Sequence, residues 1–183
     1  ASLESIRATY KLPAMAVFAL RGDTLVERAT VGALSAEDDT PVGADAQWHL
    51  GSNTKAMTAT VAGVLVEERL LRWDSTIGEV LGKAAPDMDA AHRDTTLAML
   101  LHHTSGIAAN INWFAAPEDR VACVAQILAK APEGKPGVYA YSNAGYVVAG
   151  AMMEVVTGKR WEVLMQEKLF DPLGMKDTGF GAP

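Results

Sequence analysis

The chain has 183 residues, 49% of them hydrophobic, which suffices for one sizeable core and is short for two ordinary domains. A net charge of -6, with lysines and arginines scattered singly, gives no basic patch for nucleic acid or an anionic membrane surface. The single cysteine, Cys123, excludes an intrachain disulfide and a cysteine-cluster metal site, and no apolar run is long enough to span a bilayer.

The first 48 residues are predicted to form a short helix and a β-hairpin. Leu3, Ile6 and Tyr10 recur at helical spacing, and Pro13 ends that helix. Two apolar runs then flank a compact Gly/Asp turn, which is the pattern of a hairpin. The predicted elements are a helix over 2–11, strands over 14–20 and 24–31, and an acidic loop over 34–46.

The remainder of the chain, residues 49–183, is predicted to be helical. Met57, Val61 and Leu65 recur at helical spacing within a long segment from Asn53 to Leu71. No convincing strand follows residue 32, so the fold class is α+β, with one hairpin and a helical body. A lone hairpin is marginally stable unless further strands extend it. A short turn or helix is predicted at 74–81, and further helices at 95–102, 118–130, 144–157 and 160–170.

The start of the long helix carries a serine and a lysine three residues apart. Ser52 and Lys55 at this spacing share one helix face. A serine hydroxyl needs a neighbour to take its proton, and a lysine with a lowered pKa can serve. No other serine in the chain has a lysine three residues on. The alternative is that Ser52 caps the helix and Lys55 is solvated.

A second polar cluster, Tyr141-Ser142-Asn143, lies between a Gly/Pro-rich turn and a predicted helix. A tyrosine there could relay a proton between the serine and a leaving group. The asparagine could hold Lys55 or a substrate amide. The alternative is that Asn143 is a helix cap and Tyr141 a half-buried aromatic residue.

Four stretches follow one another along the chain: Trp48-His49-Leu50-Gly51-Ser52-Asn53-Thr54-Lys55, Leu100-Leu101-His102-His103-Thr104-Ser105-Gly106-Ile107, Tyr141-Ser142-Asn143 and Pro172-Leu173-Gly174-Met175-Lys176-Asp177-Thr178-Gly179-Phe180. Ser-x-x-Lys is the nucleophile motif of penicillin-recognising enzymes. In this order the four stretches resemble those of the β-lactamase and penicillin-binding-protein superfamily, and more closely its class C β-lactamase-like serine hydrolases and esterases. The resemblance covers nearly the whole chain.

The resemblance implies a role for each residue of the two polar clusters. Ser52 would be the acyl-accepting nucleophile and Lys55 its partner in proton transfer. Tyr141 would be a general base and later an acid, and Asn143 would position the lysine and the substrate. It implies acyl transfer from a small-molecule or peptide substrate with an ester, amide or lactam carbonyl, and neither a metal nor an organic cofactor.

The histidines allow other readings. His102 and His103 are adjacent, so their side chains leave a helix in different directions, and no ligand stands at metal-binding spacing. We therefore expect structural roles for them at a helix end. His49 could line the cleft, but a Ser-His-Asp triad would leave the matches at Lys55 and Tyr141 unexplained.

The family's third motif, Lys-Thr-Gly or His-x-Gly, is expected on a strand downstream of Tyr141, where it supplies one N–H of the oxyanion hole. Two near matches, His49-Leu50-Gly51 and Lys135-Pro136-Gly137, precede Tyr141, and Lys176-Asp177-Thr178-Gly179 has a residue too many. The resemblance thus implies a β-lactamase/transpeptidase-like fold, present over 1–183 as a single incomplete domain: helix and hairpin over 1–48, helical region over 49–183. Loss of an oxyanion donor costs about a hundredfold to a thousandfold in rate, so we expect impaired activity.

Two other functions stay open besides a serine hydrolase. One is a penicillin-binding module that is acylated but turns over slowly. The other is a non-catalytic fragment that associates through its exposed sheet edge, with itself or with a complementing C-terminal chain. Aromatic candidates for lining the cleft, or for packing in the core, are Trp113, Phe114 and Tyr139.

The cellular location is expected to be periplasmic or secreted. The chain begins with Ala1 rather than Met, as it would after removal of a signal peptide. A cytoplasmic location stays open.

Overall fold

The computed structural model describes residues 2–112 and 119–181. The chain divides into two compact units, the first extending to His49 and the second beginning at Leu50. Among these residues, no helix is both long and apolar enough to cross a membrane.

The first unit consists of a helix and a two-stranded antiparallel sheet. Helix α1 (Leu3–Tyr10) is capped by the Ser2 hydroxyl and ends at Lys11, whose backbone is left-handed. Strands β1 (Ala14–Arg21) and β2 (Thr24–Gly32) pair from Ala14 opposite Gly32 to Arg21 opposite Thr24. A register shift lies between Ala19 and Leu20. The predicted helix and hairpin are thus confirmed, and β1 and β2 each extend one residue further.

The hairpin exposes apolar side chains on both of its faces. Val17 and Phe18 are neighbours in β1, so they point to opposite faces, and they are 49% and 67% exposed. Leu25 and Val26 in β2 are also half exposed. A two-stranded sheet with exposed apolar side chains on both faces offers surface for association.

The second unit is a helical body arranged around one buried helix. Helix α6 packs against five others and buries most of its side chains, including Val148, Met152 and Met153 at 0% exposure. In the described part of this unit, the helices are α2 (Asn53–Glu67), α3 (Ile77–Leu81), α4 (Leu97–Leu101), α5 (Arg120–Leu128), α6 (Asn143–Thr157), α7 (Trp161–Met165) and α8 (Asp171–Leu173), with a 3₁₀ turn at Ala90–His92 and a π-helical turn at Gln166–Phe170.

Several predicted helix bounds are wrong, and α2 shows why. The helix ends at Glu67 instead of Leu71 because Arg69 adopts a left-handed backbone with φ of 61°. The Leu70 N–H then donates to the Leu65 carbonyl at 2.9 Å, which closes the helix end. Since this position is usually a glycine, an arginine there gives no stop signal. The single helix predicted over 160–170 is divided between α7 and the π-helical turn.

The predicted fold class is confirmed: the described residues form a helical body and a two-stranded antiparallel sheet. The other backbone pairings of strand type in these residues are isolated bridges, Ala33 with Pro41 and Thr76 with Thr96.

Candidate active site

Ser52 lies at the N-terminus of α2, but its hydroxyl does not cap the helix. Instead, Ser52 Oγ lies 2.7 Å from Tyr141 Oη, and Lys55 Nζ donates to it at 3.2 Å. The alternative in which Ser52 is only a helix cap is therefore wrong. The position at a helix N-terminus also places favourable partial positive charge beside any anion formed on this oxygen.

Lys55 follows one turn later on the same face of α2. Its ammonium donates to Asn143 Oδ1 at 2.7 Å as well as to Ser52 Oγ. The nitrogen also lies 4.9 Å from the centre of the Tyr141 ring and 5.5 Å from that of Tyr146, within cation–π range. These contacts hold the ammonium between the serine and the two aromatic rings, so the alternative of a solvated lysine is wrong.

Tyr141 brings a phenol from a distant part of the chain to the serine. Its side chain is 43% exposed, and its hydroxyl is bonded to Ser52 Oγ. The hydrogen bond and charge of the Lys55 ammonium, together with the Ser52 hydroxyl, lower the pKa of the Tyr141 phenol below its usual value of 10.0. A lowered pKa increases the fraction of phenolate, which is the form that can accept a proton.

The two residues after Tyr141 have different roles: Ser142 caps α6, and Asn143 binds Lys55. Ser142 is the cap of α6: its hydroxyl accepts from the Gly145 N–H at 2.8 Å and donates to the Ala108 carbonyl at 2.6 Å. Asn143 is the first residue of the helix, and its side-chain oxygen accepts from Lys55. The alternative of Asn143 as the cap is therefore wrong.

The sequence did not indicate that Asn110 contacts Asn143. Asn143 Nδ2 donates to Asn110 Oδ1 at 2.7 Å. An amide side chain can be turned end for end, and this partner on one side with Lys55 on the other fixes the orientation of the Asn143 amide. No spacing rule links residues 110 and 143, so no signal in the sequence could have found this pair.

The loop after α4 supports the backbone of the second cluster. The Ala140 N–H donates to the His103 carbonyl at 2.8 Å, and the Asn143 N–H donates to the Ala109 carbonyl at 2.8 Å. The sequence identified this stretch only by resemblance. In the structure, backbone carbonyls of residues 103 and 109 hold residues 140–143 beside α2.

The remaining candidates lie in different places. His49 belongs to the first unit. His102 follows the last residue of α4, and its neighbour His103 has a left-handed backbone with φ of 59°. Tyr139 is 67% exposed, so the alternative of core packing is wrong for it. Trp113 and Phe114 lie outside the described residues.

No group of three histidine, cysteine, aspartate or glutamate side chains that could hold a metal ion occurs over residues 2–112 and 119–181. Direct hydrogen bonds join a serine, a lysine, a tyrosine and an asparagine in the candidate site. Such an arrangement can move a proton away from a serine hydroxyl.

Comparison with known proteins identifies the family. The model of the beta-lactamase family matches residues 2–183. The chain belongs to the beta-lactamase family. The family resemblance inferred from the four sequence stretches is thus confirmed, and the β-lactamase/transpeptidase-like fold agrees with it.

Relatives within the beta-lactamase family extend well beyond the matched region. Penicillin-binding protein 4 of Amycolatopsis lactamdurans is 33% identical over 181 residues, covering 96% of this chain and 46% of that protein. Unguisins hydrolase ungD of Aspergillus violaceofuscus is 28% identical over 183 residues, covering 92% of this chain and 32% of that protein.

A solved structure shows the same fold. The crystal structure of a class C beta lactamase from Rhodobacter sphaeroides matches with a TM-score of 0.78 and 24% identity, covering 93% of this chain and 47% of that one. This chain therefore spans less than half the length of each of these three members of the comparison.

Proposed function

We propose that the chain is a serine hydrolase that works by acyl transfer, with Ser52 as the nucleophile. The observation that carries the proposal is the pair of hydrogen bonds at Ser52 Oγ, one shared with the Tyr141 hydroxyl at 2.7 Å and one from the Lys55 ammonium at 3.2 Å. Membership of the beta-lactamase family supports hydrolysis as the type of reaction.

The first half of the proposed reaction acylates Ser52. As the bond between Oγ and the substrate carbonyl carbon forms, the serine proton moves to the Tyr141 phenolate and the carbonyl electron pair moves onto its oxygen. The intermediate then collapses and breaks the bond to the leaving oxygen or nitrogen. That atom takes the proton from Tyr141, which becomes a phenolate again.

The second half of the proposed reaction releases the acyl group. Water attacks the carbonyl carbon of the acylated serine and gives a proton to Tyr141. The carbon–Oγ bond breaks, Ser52 Oγ takes that proton from Tyr141, and the carboxylic acid leaves. Throughout, the Lys55 ammonium stabilises the phenolate and the negative charge that develops near Oγ, and Asn143 holds Lys55 in place.

The proposed substrates carry an ester, amide or β-lactam carbonyl. A module that is acylated by penicillins and hydrolyses them slowly is the second candidate, because the 33% identical relative from Amycolatopsis lactamdurans is named a penicillin-binding protein.

Covalent labelling tests the proposal and separates the candidates. The purified chain is treated with a fluorophosphonate and with a fluorescent penicillin, and the labelled residue is located by peptide mass spectrometry. Ser52→Ala should abolish labelling, and Ser35→Ala, which changes an exposed serine of the first unit, should not. Labelling at Ser52 with ester or β-lactam turnover supports the hydrolase, and labelling without turnover supports the penicillin-binding module. An unlabelled Ser52 refutes its role as the nucleophile.

A further inference from the structure

His103 touches the segment around Tyr141 with both its backbone and its ring. Its carbonyl accepts from the Ala140 N–H at 2.8 Å, and its Nδ1 accepts from the Ser142 N–H at 3.1 Å. The two bonds bracket Tyr141 on either side. Ser142 is 1% exposed, so its N–H has little access to water as a replacement partner.

The His103 ring also packs against the tyrosine rings of this region. Its centre lies 4.5 Å from that of Tyr141, with the planes tilted by 34°, and 5.2 Å from that of Tyr146. Tyr139 meets it edge-on at 6.0 Å. The His103 ring thus packs against the ring of Tyr141, whose hydroxyl reaches Ser52.

One of these contacts, the bond from the Ser142 N–H, requires the neutral imidazole. A bond from the Ser142 N–H needs the lone pair on Nδ1, so the ring proton must be on Nε2. Partial burial, and then the positive charge of Lys55, lower the pKa of His103 below 6.5. The charged and titratable groups that face the ring are Lys55 from α2 and the phenols of Tyr139, Tyr141 and Tyr146.

We propose that neutral His103 is a positioning residue for Tyr141, holding the Ser142 N–H and the phenol ring so that the Tyr141 hydroxyl meets Ser52. The imidazolium cannot accept from Ser142, so protonation of His103 breaks the bond to the Ser142 N–H and loosens the hold on Tyr141. The inference rests on the proposed function, because it assigns the residue that aligns the proposed general base.

Three variants separate positioning from general structure. His103→Asn keeps an acceptor at the place of Nδ1, tolerates a left-handed backbone and cannot be protonated. His103→Leu removes the acceptor and keeps bulk. His102→Asn changes the exposed neighbour and serves as the matched control. The readout is the rate of Ser52 labelling by a fluorophosphonate between about pH 4.5 and about pH 8.

The expected result is a difference in pH dependence. In the wild type and in His102→Asn, the rate falls with decreasing pH, and the fall steepens below the pKa of His103 because two groups then need to be unprotonated. His103→Asn should lack the steepening. His103→Leu should be slower than the wild type by about tenfold or more at neutral pH, where the wild-type ring can accept from Ser142, since misplacement of a reacting group by about 1 Å costs about a hundredfold. The same steepening in His103→Asn as in the wild type, or a wild-type rate in His103→Leu at neutral pH, overturns the inference.

A measurement independent of labelling distinguishes the two proposals. The ¹⁵N chemical shifts of the His103 ring in the wild type should show an unprotonated Nδ1 at neutral pH, and the Ser142 amide signal should shift with the titration of His103. A protonated Nδ1, or a Ser142 amide that ignores the titration, overturns the inference even if Ser52 is inert. If circular dichroism shows that His103→Leu is unfolded, the His103→Asn profile and these shifts decide.

Discussion

Replacing Tyr141 by phenylalanine isolates the role of one hydroxyl. Tyr141→Phe removes the oxygen that lies 2.7 Å from Ser52 Oγ and keeps the ring that contacts His103 and faces the Lys55 ammonium. A positioned general base contributes about a hundredfold to ten-thousandfold in rate. We therefore expect Ser52 acylation to slow by at least about a hundredfold. Because the side chain is partly exposed and the ring is retained, the midpoint of thermal unfolding should not change.

The assay is the single-turnover rate of Ser52 labelling by a fluorophosphonate, measured against pH. In the wild type the rate should rise with pH and then level off. The midpoint of the rise should lie below pH 10.0, since the pKa of the Tyr141 phenol is lowered and the phenolate is the active form. That rise should vanish in Tyr141→Phe. Tyr139→Phe, at an exposed tyrosine nearby, is the matched control and should keep the wild-type profile. A rate for Tyr141→Phe within about threefold of the wild type would refute Tyr141 as the base, because base catalysis contributes far more.

Three further changes test other parts of the structure. Asn110→Ala removes the acceptor that orients Asn143 and should slow acylation about tenfold, and Asn110→Asp, which keeps an acceptor oxygen, should recover part of the loss. Phe18→Lys on the exposed hairpin should reduce self-association in size-exclusion chromatography with light scattering, whereas Leu173→Lys, at an exposed leucine elsewhere, should not; a wild type that is monomeric at every concentration contradicts this. Met152→Ala, in the buried face of α6, should lower the free energy of unfolding by about 2–5 kcal/mol in a denaturant titration, and no loss would contradict the role of α6 as the centre of the core.

Local patterns in the sequence were enough to predict the elements and half of the candidate site. The hairpin follows from two apolar runs around a Gly/Asp turn, which need only neighbouring residues. Ser52 and Lys55 lie within one turn of α2, so helix geometry alone brings their side chains together. Local patterns failed at the end of α2, where Arg69 takes a backbone conformation that its side chain does not signal.

Only the tertiary structure decided what surrounds this pair. Tyr141 lies 89 positions after Ser52, and its hydroxyl reaches Ser52 because α6 packs against both α2 and α4. The same packing brings Asn110 to Asn143 and His103 to Ser142, contacts between a loop and a helix start that share no periodicity. Hydrophobic periodicity records which face of a helix is buried, but it does not record which other helix covers that face. The family resemblance identified the residues of the site, whereas the distances between their side-chain atoms depend on the packing of the core.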